Sequence, residues 1–196
     1  MVFCVFFTGS LSANSYAQSS GKESSSGTAQ VTANIPQFIV LHYYSALTLN
    51  FETPTSEAIA QGDNTMSVSW DGSTSGDQLS TANLMTADLE LEGTKTTVTM
   101  PNVWAVRGFS NNGLASVAVT IPTGGGELSN GTSVIGMSNV KVSDGENTGE
   151  SIKTNLGGIA KASATIGSIM LDLDFSKTNR AGKHSGGQYT ITAAAI

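Results

Sequence analysis

The stretch that decides the fold class is residues 103–121, VWAVRGFSNNGLASVAVTI. Two apolar-rich segments, 103–109 and 114–121, flank the four polar residues 110–113. Asn and Gly tolerate the positive φ angles that tight turns between antiparallel strands require. The sequence therefore predicts a β-hairpin centred on residues 111–113.

Strand patterns continue on both sides of this stretch, because apolar residues alternate with polar ones or form short apolar runs. Such patterns predict strands at residues 31–35, 38–44, 47–51, 66–70, 88–92, 95–100, 134–137, 140–142, 159–164, 166–175 and 188–195. Pro101 is expected to end the strand at 95–100, and residues 71–77 are expected to form a loop. No helical pattern alternates with the strands, so we predict an all-β chain, a β-sandwich of about ten strands over residues 29–196.

The first 28 residues have the composition of an export signal followed by a linker. An apolar run at residues 2–7 precedes the small residues Ser15 and Ala17, so residues 1–17 are predicted to be a signal peptide. No Lys or Arg precedes the run, and we therefore expect a basic segment upstream of Met1. Residues 18–28 are rich in Ser and Gly and are predicted to form a flexible tail.

The single cysteine, Cys4, lies inside the predicted signal peptide. The mature chain is therefore expected to lack disulfide bonds and to be stabilised by its own core. The chain has 9 Lys and Arg residues against 15 Asp and Glu residues, a net charge of -6. This balance argues against binding to nucleic acid and against a polybasic membrane anchor. The longest apolar stretch, 35–49, is too short and too polar for a transmembrane segment.

Sequence motifs for catalysis or cofactor binding are lacking, so we predict no catalytic residue and no cofactor. Of the two histidines, His42 is expected to pack within a strand, and His184 is expected to lie solvated in a loop. Residues 71–76 begin like an EF-hand loop, but the closing position is Ala82 rather than Glu. We therefore predict no metal site and retain Asp71 and Asp77 only as weak calcium candidates.

Two further groups of side chains have a functional interpretation beside a structural one. Trp70 and Trp104 are candidates for stacking on sugar rings, although core packing is favoured because both lie in strand patterns. Asp172 and Asp174 share one face of a predicted strand, and Asp88, Glu90 and Glu92 share one face of another. A carboxylate pair for glycoside hydrolysis could come from such residues, but nothing in the sequence picks out a pair. Solvated acidic faces are the favoured interpretation of both groups.

The two ends of the chain together resemble a known family. The predicted signal peptide precedes a polar mature N-terminus, and the Cys-poor, Thr- and Gly-rich chain ends in a strand preceded by glycines, at residues 180–192. This combination resembles the subunits of chaperone–usher fimbriae, especially the archaic branch related to spore coat protein U. The resemblance implies an immunoglobulin-like sandwich that lacks one strand and is completed by the N-terminal extension of a neighbouring subunit.

The resemblance also implies partners and a location. Ala29, Val31, Ala33 and Ile35 point to one side of an extended segment and are the candidate donor-strand residues; the alternative is that they form the first strand of their own domain. The implied partners are copies of the chain or related subunits, a periplasmic chaperone and an usher, and the implied location is the cell surface. We hypothesise a structural or adhesive fimbrial subunit; the alternatives are a secreted carbohydrate-binding module and a secreted carboxylate-dependent hydrolase.

Overall fold

The computed structural model describes residues 26–52, 65–75, 87–90 and 93–196, which form strands, loops and one short 3₁₀ turn (Lys161–Ser163) but no α-helix. The strands are β1 (Phe38–Phe51), β2 (Thr65–Ser75), β3 (Ala87–Glu90), β4 (Lys95–Phe109), β5 (Leu114–Thr120), β6 (Glu127–Asn130), β7 (Ser133–Ser143), β8 (Thr148–Gly149), β9 (Ser151–Asn155), β10 (Thr165–Lys177) and β11 (Thr190–Ala195). The all-β class predicted from the sequence is confirmed.

The strands form two antiparallel sheets. The larger sheet has the order β3–β2–β1–β4–β10–β7–β6, and β8 also pairs with β7. The smaller sheet has the order β11–β5–β9. Val117 of β5 and Ile152 of β9 share one buried cluster with Ile169 of β10 and Val142 of β7. The two sheets therefore enclose a common core, in the manner of a β-sandwich.

Trp104 anchors the centre of this core. Its side chain is fully buried, and its indole N–H donates a hydrogen bond to the carbonyl of Ser168 at 2.9 Å. The ring lies against Gly167 on the neighbouring strand and occupies the space that a Cβ atom would need there. Glycine at position 167 is thus required by the close approach of the ring.

The hairpin predicted at residues 111–113 is wrong, although its turn is present. Gly113 has a φ of 75°, and its N–H donates to the carbonyl of Ser110 at 3.4 Å. However, β4 belongs to the larger sheet and β5 to the smaller one, so residues 110–113 form an arch between sheets. An arch lets the apolar faces of β4 and β5 cover each other, whereas a hairpin would leave both needing a further layer.

Four other predictions about individual strands are also wrong. Pro101 does not end a strand, because β4 continues through it with a bulge at Asn102, whose φ is 57°. Residues 71–75 are not a loop but the second half of β2, paired with β1. Residues 159–164 are not a strand and contain the 3₁₀ turn. The two strands predicted around Asn139 form the single strand β7.

The segment that precedes β1 is described from residue 26 onward. Residues 26–37 are exposed and adopt no regular secondary structure, so the strand predicted at residues 31–35 is not formed within this chain. The compact domain comprises Ile35–Ile196, and its first strand is β1. The predicted signal peptide, residues 1–17, and the first part of the predicted tail lie outside the described residues.

Candidate functional site

The final strand, β11, lies at an edge of the smaller sheet. It pairs with β5 along its whole length, from Thr190 opposite Thr120 to Ala195 opposite Ala115. No other strand of the described residues pairs with its second edge. An edge strand of this kind presents backbone N–H and C=O groups that can pair with an additional strand.

Among the described residues, the beginning of β1 also has an edge without a strand partner, and this edge lies close to β11. Residues 38–43 pair with β4, whereas β2 pairs with β1 only from Tyr43 onward. The side-chain amide of Gln37 donates a hydrogen bond to the carbonyl of Ala195 at 3.5 Å, which brings the start of β1 beside the end of β11. We call the region between residues 38–42 and β11 the open seam.

The two strands that border the seam run in opposite directions. Phe38 lies opposite Phe109 at the end of β4, and Ala195 lies opposite Ala115 at the start of β5. The arch at residues 110–113 connects the end of β4 to the start of β5. The start of β1 and the end of β11 therefore lie at the same end of the sandwich. A strand placed in the seam would therefore be antiparallel to one border and parallel to the other.

Burial along the core decreases toward the seam. Ile39 and Leu41 of β1 and Ile191 and Ala193 of β11 pack against the core but remain only half-buried. By contrast, Val117 of the adjacent strand β5 is fully buried. The core is thus incomplete along the seam, where half-buried apolar side chains have no further layer among the described residues.

A buried hydroxyl group lies near the other end of β11. Tyr189 directly precedes the strand, and its ring packs against the core. The hydroxyl oxygen is enclosed, and no described group forms a hydrogen bond with it. Burial raises the pKa of Tyr189 well above its usual value. An enclosed hydroxyl without a partner costs about 1–3 kcal/mol.

The candidate donor-strand residues Ala29, Val31, Ala33 and Ile35 are all exposed. Val31 is 92% exposed and Ile35 is 66% exposed, which is unusual for apolar side chains of this size. Ile35 is the first residue of the compact domain, whereas the other three precede it. The chain therefore carries an exposed apolar segment and a domain with an open seam.

Trp70 and Trp104 do not form a ligand-binding surface in this structure. Their exposed fractions are 1% and 0%, so neither ring presents a face on which a sugar could stack. Both rings belong to the core cluster, and the Trp70 indole N–H has no hydrogen-bond partner among the described groups. The interpretation as core side chains holds because each lies on an inward face of its strand.

Asp71 does not lie in a calcium-binding loop. It is an exposed residue of the extended strand β2, and its carboxylate accepts a hydrogen bond from the Asn50 side chain at 3.2 Å. An extended strand keeps successive oxygen atoms apart, whereas a calcium loop must curl them around the ion. Asp77 lies outside the described residues. Within the described ranges, no group of three or more His, Cys, Asp or Glu side chains is placed to bind a metal.

The carboxylates of Asp172 and Asp174 are engaged on the outer face of the larger sheet. Hydrogen bonds from Thr97 at 2.5 Å and Asn139 at 2.7 Å hold the pKa of Asp172 below its usual value. Hydrogen bonds from Ser176 lower the pKa of Asp174, which also lies 3.6 Å from Lys95. A carboxyl group that acts as a general acid needs a raised pKa, so this environment favours permanent ionisation instead.

The most connected polar side chain is Ser133, which sequence reasoning missed. Its hydroxyl oxygen is buried and accepts hydrogen bonds from the backbone N–H groups of Asn179 at 3.0 Å and Arg180 at 3.2 Å. Its O–H is therefore left to donate to Nε2 of His184 at 2.9 Å, and Nδ1–H of His184 donates to the carbonyl of Gly182 at 3.0 Å. His184 is half-buried and hydrogen-bonded, so the prediction of a solvated side chain at this position is wrong.

The hydrogen bond between Ser133 and His184 connects two segments that are distant in the sequence. Ser133 is wholly buried and both of its acceptor positions are occupied, so a substrate carbonyl has no path to its oxygen. The contact fastens residues 179–184, which lead toward β11, to the start of β7. No sequence pattern marks it, because the partners are about 50 residues apart. The other histidine, His42, is buried and accepts a hydrogen bond from Arg107 at 3.2 Å.

Comparison of the chain with protein-family models, with curated proteins and with solved structures yields no match. None of the described segments forms a helix with the length and hydropathy of a membrane span. The features of the described structure that suggest a function are the open seam and the exposed segment before it.

Proposed function

We propose that this chain is a structural or adhesive subunit of a fimbrium-like polymer, exported through the periplasm to the cell surface, that polymerises by strand exchange. In this proposal, residues 29–35 of one copy occupy the open seam of the next. The observation that carries the proposal is the half-buried core along a seam bordered by two strand edges that no other described strand pairs with. The resemblance of the chain ends to chaperone–usher subunits gives the same expectation.

The donor segment has the pattern that such a seam requires. A strand inserted between β1 and β11 would have to part these two contacting strands to roughly 10 Å, which is two strand spacings. It would then form backbone hydrogen bonds with both edges and direct every second side chain inward. Val31, Ala33 and Ile35 share that inward side, while Gln30, Thr32 and Asn34 would face solvent. Small and branched apolar side chains would cover the half-buried residues of both borders.

The free energy of strand exchange is favourable only if the donor strand forms backbone hydrogen bonds with both borders of the seam. Ordering the seven residues costs about 1–2 kcal/mol each, or roughly 10 kcal/mol in all. Burial of Val31 and Ile35 returns about 1.5–3 kcal/mol each, which is not enough alone. Backbone hydrogen bonds add about 0.5–1.5 kcal/mol each, so two ladders are needed to make the exchange favourable.

An open apolar seam is also a hazard before assembly, because unpaired edges promote aggregation. We therefore propose that a periplasmic chaperone covers the seam of the newly exported subunit and that an usher passes subunits to the polymer. The partners in the polymer are further copies of this chain or related subunits.

The proposal is tested with the mature chain and with a domain that starts at Ile35. The mature chain should form a ladder of multimers in size-exclusion chromatography, and the truncated domain should remain monomeric. A synthetic peptide of residues 26–37 should raise the melting temperature of the truncated domain. The control peptide exchanges Gln30 with Val31, Thr32 with Ala33 and Asn34 with Ile35, which moves these three apolar side chains to the opposite face. Equal stabilisation by both peptides, or a mature chain that is only monomeric, would contradict the proposal.

A further inference from the structure

A pocket of about 210 Å³ opens where the chain enters the sandwich. One wall consists of residues 35–37, and the other consists of residues 109–111, at the end of β4 and the beginning of the arch. The rings of Phe38 and Phe109 meet edge to face beside it, with centroids 5.4 Å apart. We call this feature the entry pocket.

We propose that the entry pocket is the contact surface between successive copies in the polymer, so that the polymer is a stiff rod rather than a string of freely jointed domains. This inference rests on the proposed strand exchange. The occupant is the rim of the seam of a second copy, namely the copy that holds residues 29–35 of this one.

The length of the connection requires such a contact. Only Pro36 and Gln37 separate the inserted segment, residues 29–35, from β1, and two extended residues span at most about 7 Å. A domain of this size has a radius of gyration of about 15 Å. Two such domains joined by so short a connection must touch at the point where the chain passes between them.

Pro36 restricts the connection further, because it fixes its own φ angle and limits the conformations of Ile35. The connection thus has little freedom to act as a hinge.

The chemistry of the entry pocket suits a contact between copies. Its apolar residues are Ile35, Pro36 and Phe109, and its polar residues are Gln37, Ser110 and Asn111. An apolar centre with a polar rim is typical of protein–protein interfaces. None of these six residues is charged, so two copies that each carry a net charge of -6 can meet here without burying a charge.

The test inserts a four-residue Gly-Ser linker between Ile35 and Pro36, outside the donor segment. Such a linker adds about 11 Å of flexible reach, and the matched control places the same linker between Gly27 and Thr28, upstream of the donor segment. Both variants should still form multimers. In electron micrographs, the persistence length of the Ile35–Pro36 variant should fall to about the length of one subunit, and the control should stay straight. Equal straightness would overturn the inference, whereas absence of multimers from the unaltered chain would overturn the proposed function itself.

A second variant tests the surface directly. Asn111→Arg places a charge in the entry pocket at an exposed position, and Thr99→Arg places the same charge on the exposed face of β4. Multimers of Asn111→Arg should dissociate at least roughly tenfold faster than those of Thr99→Arg, which corresponds to about 1.4 kcal/mol. Equal dissociation rates, with both monomers folded by circular dichroism, would show that the entry pocket lies outside the contact.

Discussion

Replacing Ser133 with Ala should destabilise the domain and loosen the segment that leads into β11. The hydroxyl oxygen of Ser133 is the acceptor for the N–H groups of Asn179 and Arg180 and the donor to His184. Its removal leaves these groups without their partner, and each buried polar group left unpaired costs about 1–3 kcal/mol. Because the exposed parts of residues 179–184 can recruit water, we expect a total loss of about 2–4 kcal/mol.

The measurement is the free energy of unfolding from urea titration, which should match a fall in melting temperature of roughly 4–16 °C for a domain of this size. Hydrogen exchange should accelerate in residues 178–195 more than in β10. The matched control is Ser138→Ala, at an exposed position of the same strand, with an expected cost below about 0.5 kcal/mol. A loss for Ser133→Ala no larger than that of the control would refute the assigned hydrogen-bond network.

Three further predictions concern the arch, the core and the response to pH. Gly113→Val should cost about 1–2 kcal/mol in urea unfolding, because a branched residue resists the φ of 75°; an unchanged midpoint would show that the arch has another geometry. Gly167→Ala should cost at least about 1–3 kcal/mol and shift the fluorescence of Trp104, since the added Cβ overlaps its ring; the Gly136→Ala control has more room. Burial raises the pKa of Asp144, but hydrogen bonds to its carboxylate, above all from the backbone N–H of Asn147, outweigh burial and lower this pKa below its usual value. Its contribution to stability should therefore be full above about pH 4 and be lost as the pH falls below it, and Asp144→Asn should flatten that loss.

The proposed site divides between what the sequence predicts and what it does not. The donor segment is visible in the sequence, because Val31, Ala33 and Ile35 alternate with polar residues after a Ser- and Gly-rich stretch. The open seam is not visible, because it depends on which strands pair with β11 and with the start of β1. The entry pocket likewise depends on residues 35–37 meeting residues 109–111, about 75 positions away.

The sequence by itself determined the all-β class and the position of most strands, because alternation and turn residues act within a few positions of the chain. The strand predicted at residues 166–175 is the centre of β10, and the turn at Gly113 is present. Only the tertiary structure decided that this turn is an arch and that β4 continues through Pro101. These outcomes depend on which apolar faces cover each other across two sheets, a competition among distant segments that no local pattern records.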